Sequence, residues 1–351
     1  AIRSHRQLAS SDPNHRLVAE RMIRQPNGMG TVLMESVRKI LSCLLNSQPF
    51  SLFSVLIPEG KRNLPVNTDR CKSGSNAMNQ TPSTHLPLKN SLSPYVALAL
   101  VTAVVMAGLS ALGLFFPDLF YSDPDLAENF LTNDLVNIIL GLPLFIYALI
   151  TLNRKKLSGL LMLPGFLIFV IYNYVAYVLG RPLNWISIPN IGLVILSSYT
   201  LVGLLRAIDH QAVMKKLEGH VGNKFPGWIL VAFGLAFIGL AVSQIIIGIQ
   251  EGTIPPLGDQ AVSIADLVVS AGWVAGGILL LRQKALGYTT GLGLLVAASF
   301  LFIGLILYFF LAPLLVGRPF DWTEVITVLV MGLVCFVPTG MFWWGVINSG
   351  K

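Results

Sequence analysis

Arg181 and Arg318 stand in near-copies of one hexapeptide, Gly180-Arg181-Pro182-Leu183-Asn184-Trp185 and Gly317-Arg318-Pro319-Phe320-Asp321-Trp322, each following a long apolar run. A guanidinium offers paired N–H donors to an anionic group, here a lipid phosphate or a solute carboxylate. The same residues also suit a helix end. Gly180 and Gly317 are expected to close helices in the left-handed conformation, Pro182 and Pro319 to stop them, and Asn184 and Asp321 to make Asx turns. Trp185 and Trp322 would then lie at a membrane interface. Asp134 and Asp266, each followed by Leu-Val, are expected to open helices, where the macrodipole favours an acid, and Ser263-x-x-Asp266 has capping-box spacing. The sharper expectation is that Asp134 pairs with Arg181 and Asp266 with Arg318, clamping each half of the chain or gating an outer vestibule.

Tyr172-Asn173-Tyr174-x-x-Tyr177 is the third constellation. Asn173 is seven residues before Gly180 (180 − 173), hence about 10 Å below the helix end. An amide at that depth needs partners and is expected to face the protein interior or a wet cavity. An interhelical packing bond, worth about 1 kcal/mol, is the plainer reading. Phe310 is the counterpart of Asn173 at the hexapeptide offset of 137 (317 − 180), so the polarity occurs once. Ser243, Gln244, Asn137 and Tyr147 are further candidates for lining a cavity. His210 and His220, with Asp209 and Glu218, match no compact metal-ligand spacing and read as a solvated loop. Cys43, Cys71 and Cys335 form no CxxC. With no catalytic, metal or cofactor motif, neither an enzyme nor a bound cofactor is expected.

The elements that must position these groups follow from composition. Charged residues make up 12% of the chain and hydrophobic ones 54%, with a mean hydropathy of +0.70, against about 25% charged in soluble domains. Apolar runs long enough to cross a hydrocarbon core occur at about 94–116, 134–152, 158–180, 188–207, 226–249, 263–281, 287–312 and 324–347. Continuous runs mean helices rather than barrel strands. The fold class is therefore all-α, a polytopic membrane protein of about eight transmembrane helices.

Internal matches divide it in two. Pro94 to Asp134 and Pro226 to Asp266 are both intervals of 40 residues (134 − 94, 266 − 226). The expected organisation is a polar tail at 1–90, a four-helix repeat at 91–208, a cytoplasmic linker at 209–225 and a second four-helix repeat at 226–351. With four spans per repeat, the two are parallel. Gly272-x-x-x-Gly276 and Gly287-x-x-x-Gly291 allow close helix approach.

The net charge of +7 sits in the tail: residues 1–93 hold 12 Lys+Arg and 5 Asp+Glu, leaving 12 (24 − 12) and 12 (17 − 5) for the rest. A nucleic-acid footprint across the fold is not supported. Arg154, Lys155, Lys156, Arg206, Lys215, Lys216, Lys224, Arg282 and Lys284 fall on one side of an eight-span chain, which places that side and both termini in the cytoplasm, with a bacterial inner membrane as the expected location. Val32–Leu45 has the spacing of a surface amphipathic helix. The native start is expected at Met78 or Met34.

From Asp134 to about Gly293 the chain resembles a family of polytopic bacterial membrane proteins without assigned function. The resemblance is carried by Gly141-Leu142-Pro143, Arg154-Lys155-Lys156, Tyr172-Asn173-Tyr174, Tyr177, Gly180, Asn184, Asp266 and Arg282. It implies no substrate or mechanism. The functional expectation is a small-solute permease or channel with its site between the halves near Asn173, with the bilayer and a small solute or anionic lipid as partners. The alternative is a non-transporting sensor or assembly partner.

Overall fold

The computed structural model describes residues 86–350 apart from 122, 123 and 253. The tail, the Val32–Leu45 helix and the Met34 or Met78 start lie outside those residues. Ser83–Lys351 form one compact unit. The helices are α1 (Ser93–Phe115), α2 (Pro117–Phe120), α3 (Pro124–Val136), a π-helical turn (Asn137–Gly141), α4 (Leu142–Asn153), α5 (Leu157–Leu179), α6 (Ser187–Ala207), α7 (His210–Leu217), α8 (Lys224–Glu251), α9 (Leu257–Leu281), α10 (Ala285–Leu315) and α11 (Trp322–Asn348). Eight of the described helical stretches are long and apolar enough to span a membrane, the second being Phe130–Asn153 across α3, the π turn and α4. The chain is an all-α, multi-pass integral membrane protein. Its outside fits lipid, with Ile188, Ile249 and Trp344 each at least 70% exposed, since a surface this apolar needs a nonaqueous neighbour.

The π turn follows from Pro143. A proline at the second position of α4 has no N–H to return to Ile139, and the chain widens so that Leu142 N–H reaches back five residues to Asn137 O.

Each half repeats one packing order: first span on second, second on third, third on fourth, and fourth back on first. Between halves, α3 meets α10 and α9 meets α5, a reciprocal pair, while α5 and α10 meet each other. Their contact is made by counterparts. The α4–α5 turn bonds Arg154 N to Ile150 O, Lys155 N to Leu152 O and Lys156 N to Thr151 O. The α9–α10 turn repeats all three bonds at Arg282, Gln283 and Lys284, an offset of 128 (282 − 154). Lys155 (φ 56°) and Gln283 (φ 52°) are both left-handed. At the same offset, Gly165 faces Gly293 (293 − 165): a Cβ on Gly165 would collide with Gly293 O, and one on Gly293 would lie 3.1 Å from Gly165 N. Small residues let backbones meet this closely in lipid.

α5 is the central helix. Buried residues form 78% of its apolar window, against 22–44% for the other seven spans. The linker folds as well, in place of the expected solvated loop. Asp209 caps α7 by accepting from Gln211 N and Ala212 N, and Val213 and Leu217 are buried. His210 Nδ1 lies 3.1 Å from Thr289 Oγ1 on α10. That hydroxyl also reaches Ala285 O at 3.1 Å, which ties α7 to the first turn of α10.

Candidate functional site

Neither aspartate caps a helix. α3 starts at Pro124 and α9 at Leu257, behind Pro256, so Asp134 and Asp266 are the eleventh (134 − 123) and tenth (266 − 256) residues of their helices. A carboxylate there gains nothing from helix-end N–H groups and must be met by side chains. Asp134 is 1% exposed. Tyr121 Oη donates to its Oδ2 in a short bond, and Tyr177 Oη lies 2.8 Å from Oδ1. Burial first, and the Asp134 carboxylate second, push the Tyr121 phenol far above its ordinary range, so it remains a donor. Gly113 makes room: a Cβ there would collide with Asp134 Oδ2 and lie 2.8 Å from Tyr121 Oη.

The Tyr177 hydroxyl is shared. It stands 3.1 Å from Phe130 O as well as 2.8 Å from Asp134 Oδ1, with one proton for two acceptors. Asn133 Nδ2 points at the same hydroxyl (3.4 Å) and donates to Asn173 Oδ1 (3.0 Å), while Asn173 Nδ2 donates to Phe169 O (3.0 Å). Asn173 thus has its partners inside the first half, not in a cavity between the halves. The inter-half core beside it is apolar, with Phe166, Phe169 and Phe300 in edge-to-face contact.

Arg181 is not on the outer surface. It is 4% exposed, with its guanidinium carbon 5.4 Å from the Tyr121 ring centroid and 5.6 Å from that of Phe130. Nη1 donates to Phe120 O at 3.2 Å, and Nε and Nη2 have no partner among the described residues. Asp134 and Arg181 share a pocket rather than a hydrogen bond. Leu109, Phe120, Tyr121, Tyr174, Tyr177 and Asn190 complete its wall, and the volume open to the centre of a water-sized body is about 10 Å³, room for one water.

The second half builds something different. Arg318 Nη2 pairs with Glu324 Oε1 at 3.0 Å, partly exposed, and stacks on Phe309. Asp266, half-buried, accepts from Tyr172 Oη of α5 at 3.0 Å. The expected Asp266–Arg318 clamp is absent for a reason of register. From Gly165 to Arg181 is 16 residues (181 − 165), but from Gly293 to Arg318 is 25 (318 − 293), which carries Arg318 about 13 Å further out at 1.5 Å per residue. From Asp134 to the helix end at Asn153 is 19 residues (153 − 134), and from Asp266 to that at Leu281 only 15 (281 − 266), so Asp266 sits about one turn deeper.

The hexapeptides diverge in backbone too. Gly317 is left-handed (φ 70°), as expected, but Gly180 has φ −78°. Gly180 is required by closeness instead, since a Cβ would lie 2.6 Å from Phe130 Cζ. Asn184 Oδ1 accepts from Ile186 N and Ser187 N, and Asp321 Oδ1 from Thr323 N. Trp185 and Trp322 are exposed. Of the further candidates, Asn137 is buried and donates to Ser110, Ser243 bonds back to Leu240 O, Gln244 is half-buried, and Tyr147, 43% exposed, faces outward. Tyr121, Asn133, Ser110 and Asn190 are site residues that sequence reasoning missed. Asn133 and Asn137 at i, i+4 beside Asp134 were the available signal, a polar stripe on one helix face. Among the described residues no His, Cys, Asp and Glu cluster could hold a metal ion.

Fold and site together define a multi-pass membrane protein with buried charged groups in its first four-helix set. Comparison with protein-family models, curated proteins and solved structures gave no match.

Proposed function

We propose that the chain is a proton-linked permease for a small solute, working from the Asp134 pocket of the first half. The observation that supports it is the shared Tyr177 hydroxyl. With Asp134 ionised, Tyr177 donates to Oδ1. With Asp134 protonated, Oδ1–H donates to Tyr177 Oη and the tyrosine proton turns to Phe130 O. Both charge states keep their hydrogen bonds through the rotation of one O–H, as a carboxyl that cycles in a low-dielectric interior requires. The loops rich in Lys and Arg support a bacterial inner membrane with both termini on its cytoplasmic side, an orientation that sets the pocket near the outer face.

The test is proton entry into proteoliposomes carrying a trapped pH dye, driven by inward gradients of chloride, formate, acetate, glycerol or alanine. At least one solute is expected to carry protons, with Asp134→Asn reducing the rate at least tenfold and Asp266→Asn also measured. No solute-dependent proton entry with the wild type would end the permease reading. The second reading, a non-transporting membrane component, is favoured by the Gly165–Gly293 contact, which brings the backbones of α5 and α10 together.

A further inference from the structure

The pocket holds one feature that a carboxyl switch alone does not use. Nε and Nη2 of Arg181 are buried, have no partner among the described residues and lie in the wall of a space the size of one water. A buried guanidinium with two free N–H groups is costly unless something accepts from it. The nearby acceptors among the described residues each already receive a bond: Asp134 Oδ2 from Tyr121, Oδ1 from Tyr177, and Phe120 O from Nη1. The remaining wall offers Tyr174, whose hydroxyl is bonded to Met106 O, Asn190, 3% exposed, whose amide can add an N–H or an acceptor oxygen, and apolar Leu109 and Phe120. This is an acceptor-seeking site of monatomic size.

We infer that the Arg181 pocket binds a halide-sized inorganic monoanion, with chloride as the probe, together with one proton on Asp134. Size excludes carboxylates larger than the space, and charge requires the proton. Arg181 and ionised Asp134 sum to zero, and an added anion would leave one net negative charge in a dry site. Protonating Oδ1, with the Tyr177 hydroxyl turning to Phe130 O, restores neutrality without breaking a hydrogen bond. Among the described residues, the titratable or charged groups facing Asp134 are Tyr121, Tyr174, Tyr177 and Arg181. α10, packed on α3, brings Gly304 and no charge against Val136, about half a turn below. The halide names the substrate class of the proposed permease, and the inference rests on that reading for its role, although binding is tested separately.

The experiment is calorimetric titration of the detergent-solubilised full chain with sodium chloride against sodium gluconate at constant ionic strength, between pH 5 and 8, with proton uptake from an unbuffered sample. Saturable 1:1 binding is expected, tightening toward acid pH by up to about tenfold per unit, the limit for one linked proton. Asp134→Asn is expected to bind chloride with no pH dependence, and Arg181→Gln, monodisperse by gel filtration, to bind none. Absence of saturable binding by the wild type would mean the pocket holds water only and overturns the site. Binding without proton uptake overturns the coupling, a result that needs no folded Arg181 variant. Binding without proton-linked flux would overturn the permease and leave the site standing, whereas flux of another solute without halide binding would do the reverse.

Discussion

Asp134 Oδ2, Tyr121 Oη and the bare Cα of Gly113 occupy what would be one side chain's volume. Gly113→Ala must therefore displace a carboxylate held by two tyrosines, and a loss of about 1–3 kcal/mol is expected, read by thermal unfolding in detergent. Gly108→Ala, on the same helix with nothing near its Cβ position, serves as the control and is expected to be neutral or to gain up to about 1 kcal/mol. The two arginines separate by the same logic. Arg318→Gln removes a partly exposed pair with Glu324, and about 1 kcal/mol is expected, with no change in proton-linked flux. Arg181→Gln acts on a buried pocket and is expected to abolish flux. Sequence named both arginines and both aspartates, but could not tell them apart, because equivalence of neighbours in the chain is not equivalence of depth.

The helices themselves were far more legible than their uses. All eight spans were marked by apolar length, and the errors fall at two outer ends, where α3 and α9 run past the expected starts at 134 and 263. Hydropathy averages over every face of a helix. Asn133, Asp134 and Gln260 lowered that average although their partners lie within the protein: Gln260, for example, donates to Pro255 O at 2.7 Å. The π turn had a visible cause in Pro143, but whether a proline kinks, ends or widens a helix is settled by the neighbours it packs on. The linker was misread because eight residues with three charges or imidazoles look solvated until α10 supplies a floor for Val213 and Leu217. Within it, burial first and Lys89 second hold the His210 imidazole below its ordinary value of 6.5. The unfolded chain then binds the extra proton more readily than the folded one, so His210 lowers stability as pH falls below about 6.5. The acid-side drop in Tm between pH 7.5 and 5.5 is expected to shrink in His210→Gln.

At the scale of the molecule, the reciprocal contacts of α3 with α10 and α9 with α5 leave a single point where like meets like. Gly165→Ala is expected to cost more than Gly293→Ala, near the upper end of about 1–3 kcal/mol, because its Cβ meets a carbonyl oxygen while that of Gly293 has 3.1 Å to the nearest atom. Equal costs in detergent unfolding would show that the interface adjusts. The offset of 128 shared by the two hairpin turns was not legible in the sequence, because turns of different sequence can share one backbone path.

The unequal depths of the two aspartates also have an electrical meaning. A proton on Asp266 lies about 6 Å further into the bilayer than one on Asp134, about one fifth of a 30 Å hydrocarbon thickness. Since a full crossing is worth about 2.3 kcal/mol per 100 mV, the step between them is worth about 0.5 kcal/mol. Membrane voltage would therefore bias which of the two sites is occupied, and a protein assembled from similar halves would read the same field at two different heights.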